Sequence, residues 1–279
     1  MTRRGAELKR RDITRLSCAG ALWSLVHGWA WAGTGERLGF LLLHGKNPGG
    51  PDTPVYNNLV AAIDRENWLS LVPDMPWSRR RYLAGNWDQA MQEIAGHVQA
   101  LRDRGASRVV LVGHSMGCPA AMSYAARGGA VDALVLLAPG HAPQGYYTWN
   151  SSKPVRESID EARALVAAGK GEEGTHRFND FNQGRALTVV TTAKNYLSFF
   201  DPESDAEMGR TAPRIPAAVP VLSVIGEKDP LFKSIKDYYV SKLPANPRSE
   251  YLEVTGGHIE TPSVAADQVI AWTKKVLLS

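Results

Sequence analysis

Short unbroken apolar runs alternate along the chain with stretches whose apolar residues recur every three or four positions. The runs occupy residues 38–43, 68–72, 108–112, 133–137, 219–225 and 250–254. Each has the length of a strand. Runs without polar alternation suit strands covered on both faces, as in a parallel sheet. Between them, residues 87–104 place Trp87, Met91, Ile94, Val98 and Leu101 on one helical face. Residues 262–277 predict a closing helix with Pro262 in its first turn. Strands alternating with helices predict an α/β fold, a mostly parallel doubly wound sheet with right-handed crossovers.

Two segments depart from this rhythm. Residues 141–215 carry helical patterns over 155–168 and roughly 184–199 but no convincing strand. The segment is too long for a plain loop, so it predicts a helical cap inserted over the carboxyl end of the sheet, where open parallel sheets bind ligands. Residues 1–32 stand apart too. Basic residues fill the first fifteen positions, residues 16–32 hold no charge, and the stretch ends in Ala30-Trp31-Ala32, a small-x-small cleavage pattern. Arg10-Arg11-Asp12-Ile13-Thr14-Arg15 resembles the twin-arginine export motif. The expected organisation is a signal peptide over 1–32, a core over 33–140 plus 216–279 and a cap over 141–215. The leader would engage export machinery and leave the mature protein in the periplasm.

Charge localises rather than redirects this picture. The net charge of +4 on 279 residues is matched by six basic and two acidic residues within 1–32, so the remainder is neutral. A neutral body gives no support for nucleic-acid binding. The two cysteines, Cys18 and Cys118, exclude a disulfide scaffold. No metal-ligand spacing or dinucleotide fingerprint is present, so neither a metal nor another cofactor is expected.

The chemistry gathers at strand ends. Gly113-His114-Ser115-Met116-Gly117 follows the run at 108–112 and precedes a small-residue helix. In that context G-x-S-x-G is a nucleophile elbow: the tight turn leaves no room for side chains at the two glycines and projects the serine at a helix N-terminus. A serine hydroxyl needs a positioned base. His258, in the turn after the last strand, is the first choice and His141 the reserve. The imidazole needs an acid to orient it. Asp229, in Gly226-Glu227-Lys228-Asp229-Pro230, is the candidate, with Glu227 as alternative. An oxyanion needs two donors. Met116 N–H supplies one, and the loop His44-Gly45-Lys46-Asn47 the other, with Lys46 N–H before Gly45 N–H. The Lys46 side chain is expected in solvent. Trp77, Tyr146 and Trp149 are candidate walls of a substrate pocket; most other cap aromatics are expected to pack.

The order Ser115, Asp229, His258, with the His-Gly pair after the first central strand and an insertion before the acid strand, resembles the α/β-hydrolase superfamily over residues 38–279. The resemblance implies an eight-strand-type sheet with a cap over a Ser-His-Asp site. Little chain lies before residue 38 for that fold's usual first hairpin. It also implies a serine hydrolase acting on a small-molecule ester through an acyl-enzyme. The alternatives are an amidase or acyltransferase with the same triad, and a non-catalytic binding protein of the same fold. A serine nucleophile argues against the superfamily's dehalogenase and epoxide hydrolase branches, which use aspartate.

Overall fold

The computed structural model describes residues 36–279. The leader expected over residues 1–32 lies outside them. Strands β1 (Leu38–Leu43), β2 (Leu69–Leu71), β3 (Arg108–Ser115), β4 (Ala133–Pro139), β7 (Val221–Gly226) and β8 (Glu250–Val254) form one six-stranded sheet. Its order is β2-β1-β3-β4-β7-β8 and every pairing is parallel. Among the described residues the sheet thus has six strands where the resemblance implied eight.

The apolar runs fill both faces of this sheet because successive side chains point to opposite sides. Phe40, Leu42, Val110, Val112, Val135 and Val224 face α1 (Asn57–Arg65) and α10 (Ala266–Leu277). Leu41, Leu43, Val109, Leu111, Leu134 and Ile225 face α2 (Trp87–Asp103) and α3 (Gly117–Ala126). Helix α2 begins with a reciprocal capping box between Asn86 and Gln89. The expected closing helix divides at Ala265, with α9 (Thr261–Val264) ahead of α10.

The segment 141–215 departs from the sequence expectation of helices without a strand. It holds α4 (Pro143–Thr148), α5 (Lys153–Ala167) and α6 (Ala193–Phe200), but also an antiparallel hairpin of β5 (His176–Asn182) and β6 (Arg185–Thr191). The run at 184–199 is therefore strand and then helix. Two short helices, α7 (Met208–Thr211) and α8 (Ile235–Tyr238), flank β7. The hairpin turns through Gln183 (φ 50°) and Gly184 (φ 77°), both left-handed, as a two-residue hairpin loop demands. Phe178 and Val189 are buried on its inner face, where Phe178 stacks on Tyr196 and Tyr196 on Phe200.

Chain order along the sheet reverses between β1 and β3. Such a switch point opens a crevice at the carboxyl ends of the strands. The loop after β1 and the turn after β3 meet there.

Candidate active site

The turn after β3 is tight in the way its glycines predict. A Cβ on Gly113 would collide with the Gly117 carbonyl, and one on Gly117 with the Leu43 carbonyl. The β3–β4 ladder slips between His114 and Ser115, and Ser115 takes a left-handed backbone (φ 53°). A serine held there at an energetic cost is over-determined by its surroundings.

Three side chains from separate strand ends meet at this point. The Ser115 hydroxyl donates to His258 Nε2 at 2.9 Å, and His258 Nδ1–H donates to Asp229 Oδ2 at 2.6 Å. Asp229 is buried, and its other oxygen accepts the Leu231 N–H at 2.8 Å, which fixes the carboxylate plane. Glu227, the alternative acid, is exposed. His141, the reserve base, donates from Nε2 to the Phe199 carbonyl at 2.7 Å and is turned to the cap.

His114 is the elbow's hidden support. Gly45 N–H donates to Tyr56 Oη at 3.0 Å, so the tyrosine proton goes to His114 Nδ1 at 2.8 Å. The other nitrogen, Nε2–H, then donates to the His258 carbonyl at 3.0 Å. This relay ties the loop after β1 and the elbow to the backbone of the imidazole opposite. It also engages the Gly45 N–H, the second of the two candidate oxyanion donors in that loop. The loop abuts the elbow: a Cβ on Gly45 would stand 3.2 Å from Ser115 Cβ.

Two sequence expectations fail here. Trp77 does not wall the cleft. It is fully buried, its indole N–H donates to the His44 carbonyl at 2.7 Å, and its own carbonyl accepts the Asn47 N–H at 2.9 Å. A buried indole needs an acceptor, and by taking this one Trp77 clamps the loop from behind. The Lys46 side chain is not solvated either. It is 3% exposed and paired at 2.6 Å with Asp180 of β5, whose side chain is fully buried.

Tyr146 and Trp149 do line the cavity beside Ser115, which has a volume of about 650 Å³. Phe181, Leu231 and Ile259 extend its apolar wall, and the hairpin tip at Asn182 to Gly184 closes one side. The sequence reading missed Gly140. A Cβ there would stand 2.9 Å from Ser115 Oγ and 3.1 Å from His258 Cε1, inside the space an attacked carbonyl needs.

The chain matches the model of the alpha/beta hydrolase family over residues 25–272. It belongs to that family. No curated protein matches it by sequence. Among solved structures it is similar to Est1E from Butyrivibrio proteoclasticus with ferulic acid bound, at 14% identity and TM-score 0.57, covering 88% of this chain and 92% of that one. It is similar also to a carboxyl esterase from Bacillus coagulans in complex with glycerol, at 11% identity and TM-score 0.57, covering 87% and 91%. The siderophore hydrolase EstB from Aspergillus fumigatus matches at 14% identity and TM-score 0.54, covering 88% and 92%. At these identities the likeness is one of fold. Family members share a scaffold on which the site, not the fold, decides the reaction.

Burial sets the charge state of two histidines. His114 and His141 are desolvated by the core, with His258 beside the first and Lys46 near the second, and the pKa of each is lowered to about 3. Both are neutral in the folded protein at pH 5, whereas an unfolded chain takes up a proton at each. Stability from this source is complete above about pH 6.5 and falls as the pH drops toward 3. Each histidine should account for about 2 kcal/mol of loss between pH 7 and pH 5. Urea unfolding across that range measures the slope, and His141→Gln should flatten it. A slope unchanged by that substitution would contradict the assignment for His141.

Proposed function

We propose that this protein is a serine hydrolase that cleaves carboxylic esters through an acyl-enzyme. The observation that carries this reading is the hydrogen-bonded series Ser115, His258, Asp229 on the wall of an apolar cavity. Ser115 Oγ attacks the ester carbonyl while His258 Nε2 takes its proton. The proton then passes to the departing alkoxide. Water, deprotonated by the same nitrogen, releases the acid. Asp229 holds the imidazole by Nδ1 and balances its charge. Met116 N–H and Lys46 N–H receive the oxyanion.

The cavity supports an apolar acyl group. Trp149 lines both it and a neighbouring cavity of about 210 Å³, as do Ala142 and Leu231. The test is a panel of p-nitrophenyl esters from acetate to laurate, run beside labelling with a fluorophosphonate. Turnover with labelling at Ser115 is expected. A protein that turns over none of them and takes no label would overturn the reading. Trp149→Ala should join the two cavities and move the preferred chain length upward by two carbons or more. An unchanged chain-length profile would assign Trp149 to packing alone.

A further inference from the structure

The Lys46–Asp180 pair invites a question that stability does not answer. A buried ion pair returns little more than its desolvation cost, and apolar residues of similar size would serve a core as well. Here the pair is also completely satisfied. Lys46 Nζ donates to Asp180 Oδ1, to Tyr146 Oη at 3.2 Å and to the Phe181 carbonyl at 3.3 Å. Asp180 Oδ1 accepts the Phe181 N–H at 2.7 Å as well, and Oδ2 accepts the Tyr82 hydroxyl. Burial alone would discharge both groups. The attraction between them overcomes it, so the lysine pKa is raised and the aspartate pKa lowered. With all three ammonium hydrogens and both carboxylate oxygens engaged, the pair is held in one geometry.

What that geometry joins is informative. Lys46 lies in the loop whose backbone N–H is the proposed oxyanion donor. Asp180 lies in β5, and the residues just beyond it, Phe181 to Gly184, bound the cavity. A second tie runs between the same two elements: Asn182 Nδ2–H donates to the Asn47 carbonyl at 2.6 Å. Trp77 holds the loop on its other side at His44 and Asn47. The loop is thus gripped between the core and the cap hairpin.

We propose that Lys46 and Asp180 are positioning residues that anchor the oxyanion loop to the cap hairpin, so that the pocket wall and the Lys46 N–H are held as one body. The inference rests on the hydrolase reading above. A donor aimed in advance at the developing charge stabilises the transition state without reorganisation, and a loop freed from its anchor loses that alignment. The pair therefore acts on kcat rather than on substrate affinity.

Asp180→Asn leaves a buried ammonium without its counter-charge and risks unfolding, so the deciding variant removes both charges. Lys46→Met combined with Asp180→Leu retains the backbone N–H and fills the space with apolar atoms. It should fold, with a thermal midpoint lowered because the Tyr82 and Tyr146 hydroxyls and the Phe181 backbone groups lose these partners. Its kcat on esters should fall by about 10- to 100-fold with KM little changed, part of the loss expected when an oxyanion donor is removed outright. The inhibition constant of an aryl trifluoromethyl ketone, whose serine adduct carries an oxyanion, should rise by the same factor as kcat/KM falls. A folded double variant with parental kcat overturns the proposal. So does one whose loss lies in KM alone, since that makes the pair a pocket wall. Failure of the parent to turn over any ester tests the hydrolase reading instead, and is separate from both outcomes.

Discussion

Ser115→Ala is expected to abolish ester turnover and leave the fold intact. Members of such a unit act together, and removing the nucleophile typically costs about 10⁴–10⁶ in kcat. The substitution deletes one oxygen and its hydrogen bond to His258. It adds no bulk, and alanine meets the same left-handed backbone as serine at this position. Circular dichroism should therefore be unchanged, as should the acid sensitivity set by His114 and His141. Activity within tenfold of the parent, in a protein with unaltered circular dichroism, would remove Ser115 from its role.

Asp229→Asn is expected to cost about 10⁴ in kcat, the loss seen when an amide replaces the acid in the protease template. An asparagine can present its NH₂ to His258 Nδ1 and favour the tautomer with the proton on Nε2, where it blocks the base. It also cannot balance the imidazolium. Glu227→Gln is the control. That carboxylate lies two residues away on the exposed side of the same turn, and its loss should change kcat by less than threefold. The opposite ranking in steady-state kinetics would transfer the acid to Glu227.

The place of Ser115 is legible in the sequence because it depends on local chain geometry, whereas Asp229 and His258 stand there beside Glu227 and His141 and are picked out by their hydrogen bonds. A G-x-S-x-G between an apolar run and a small-residue helix admits few conformations, and the glycine collisions at 113 and 117 show why. The strands were legible for a related reason: runs such as LGFLLL and ALVLL have no polar face to turn to water, so both faces must be covered. The hairpin of β5 and β6 was not legible. Its sequence HRFNDFN is mostly polar, its inward face includes an aspartate, and the β-branched TVVT runs almost directly into α6, whose helical spacing masks the strand. Gln183-Gly184 ahead of that β-branched run was the signal available.

Local pattern in the sequence thus determined the α/β class, the parallel sheet, the elbow and the order of the three polar residues. Tertiary structure alone decided which partners long side chains find. Lys46 reads as a surface lysine until a residue 134 positions away supplies its counter-charge in the core. Trp77 reads as a pocket wall until the His44 carbonyl claims its N–H. The physical reason is common to both. A strand or a turn is selected by interactions within a few residues, whereas the satisfaction of a buried polar group depends on whatever the fold brings within 3 Å of it.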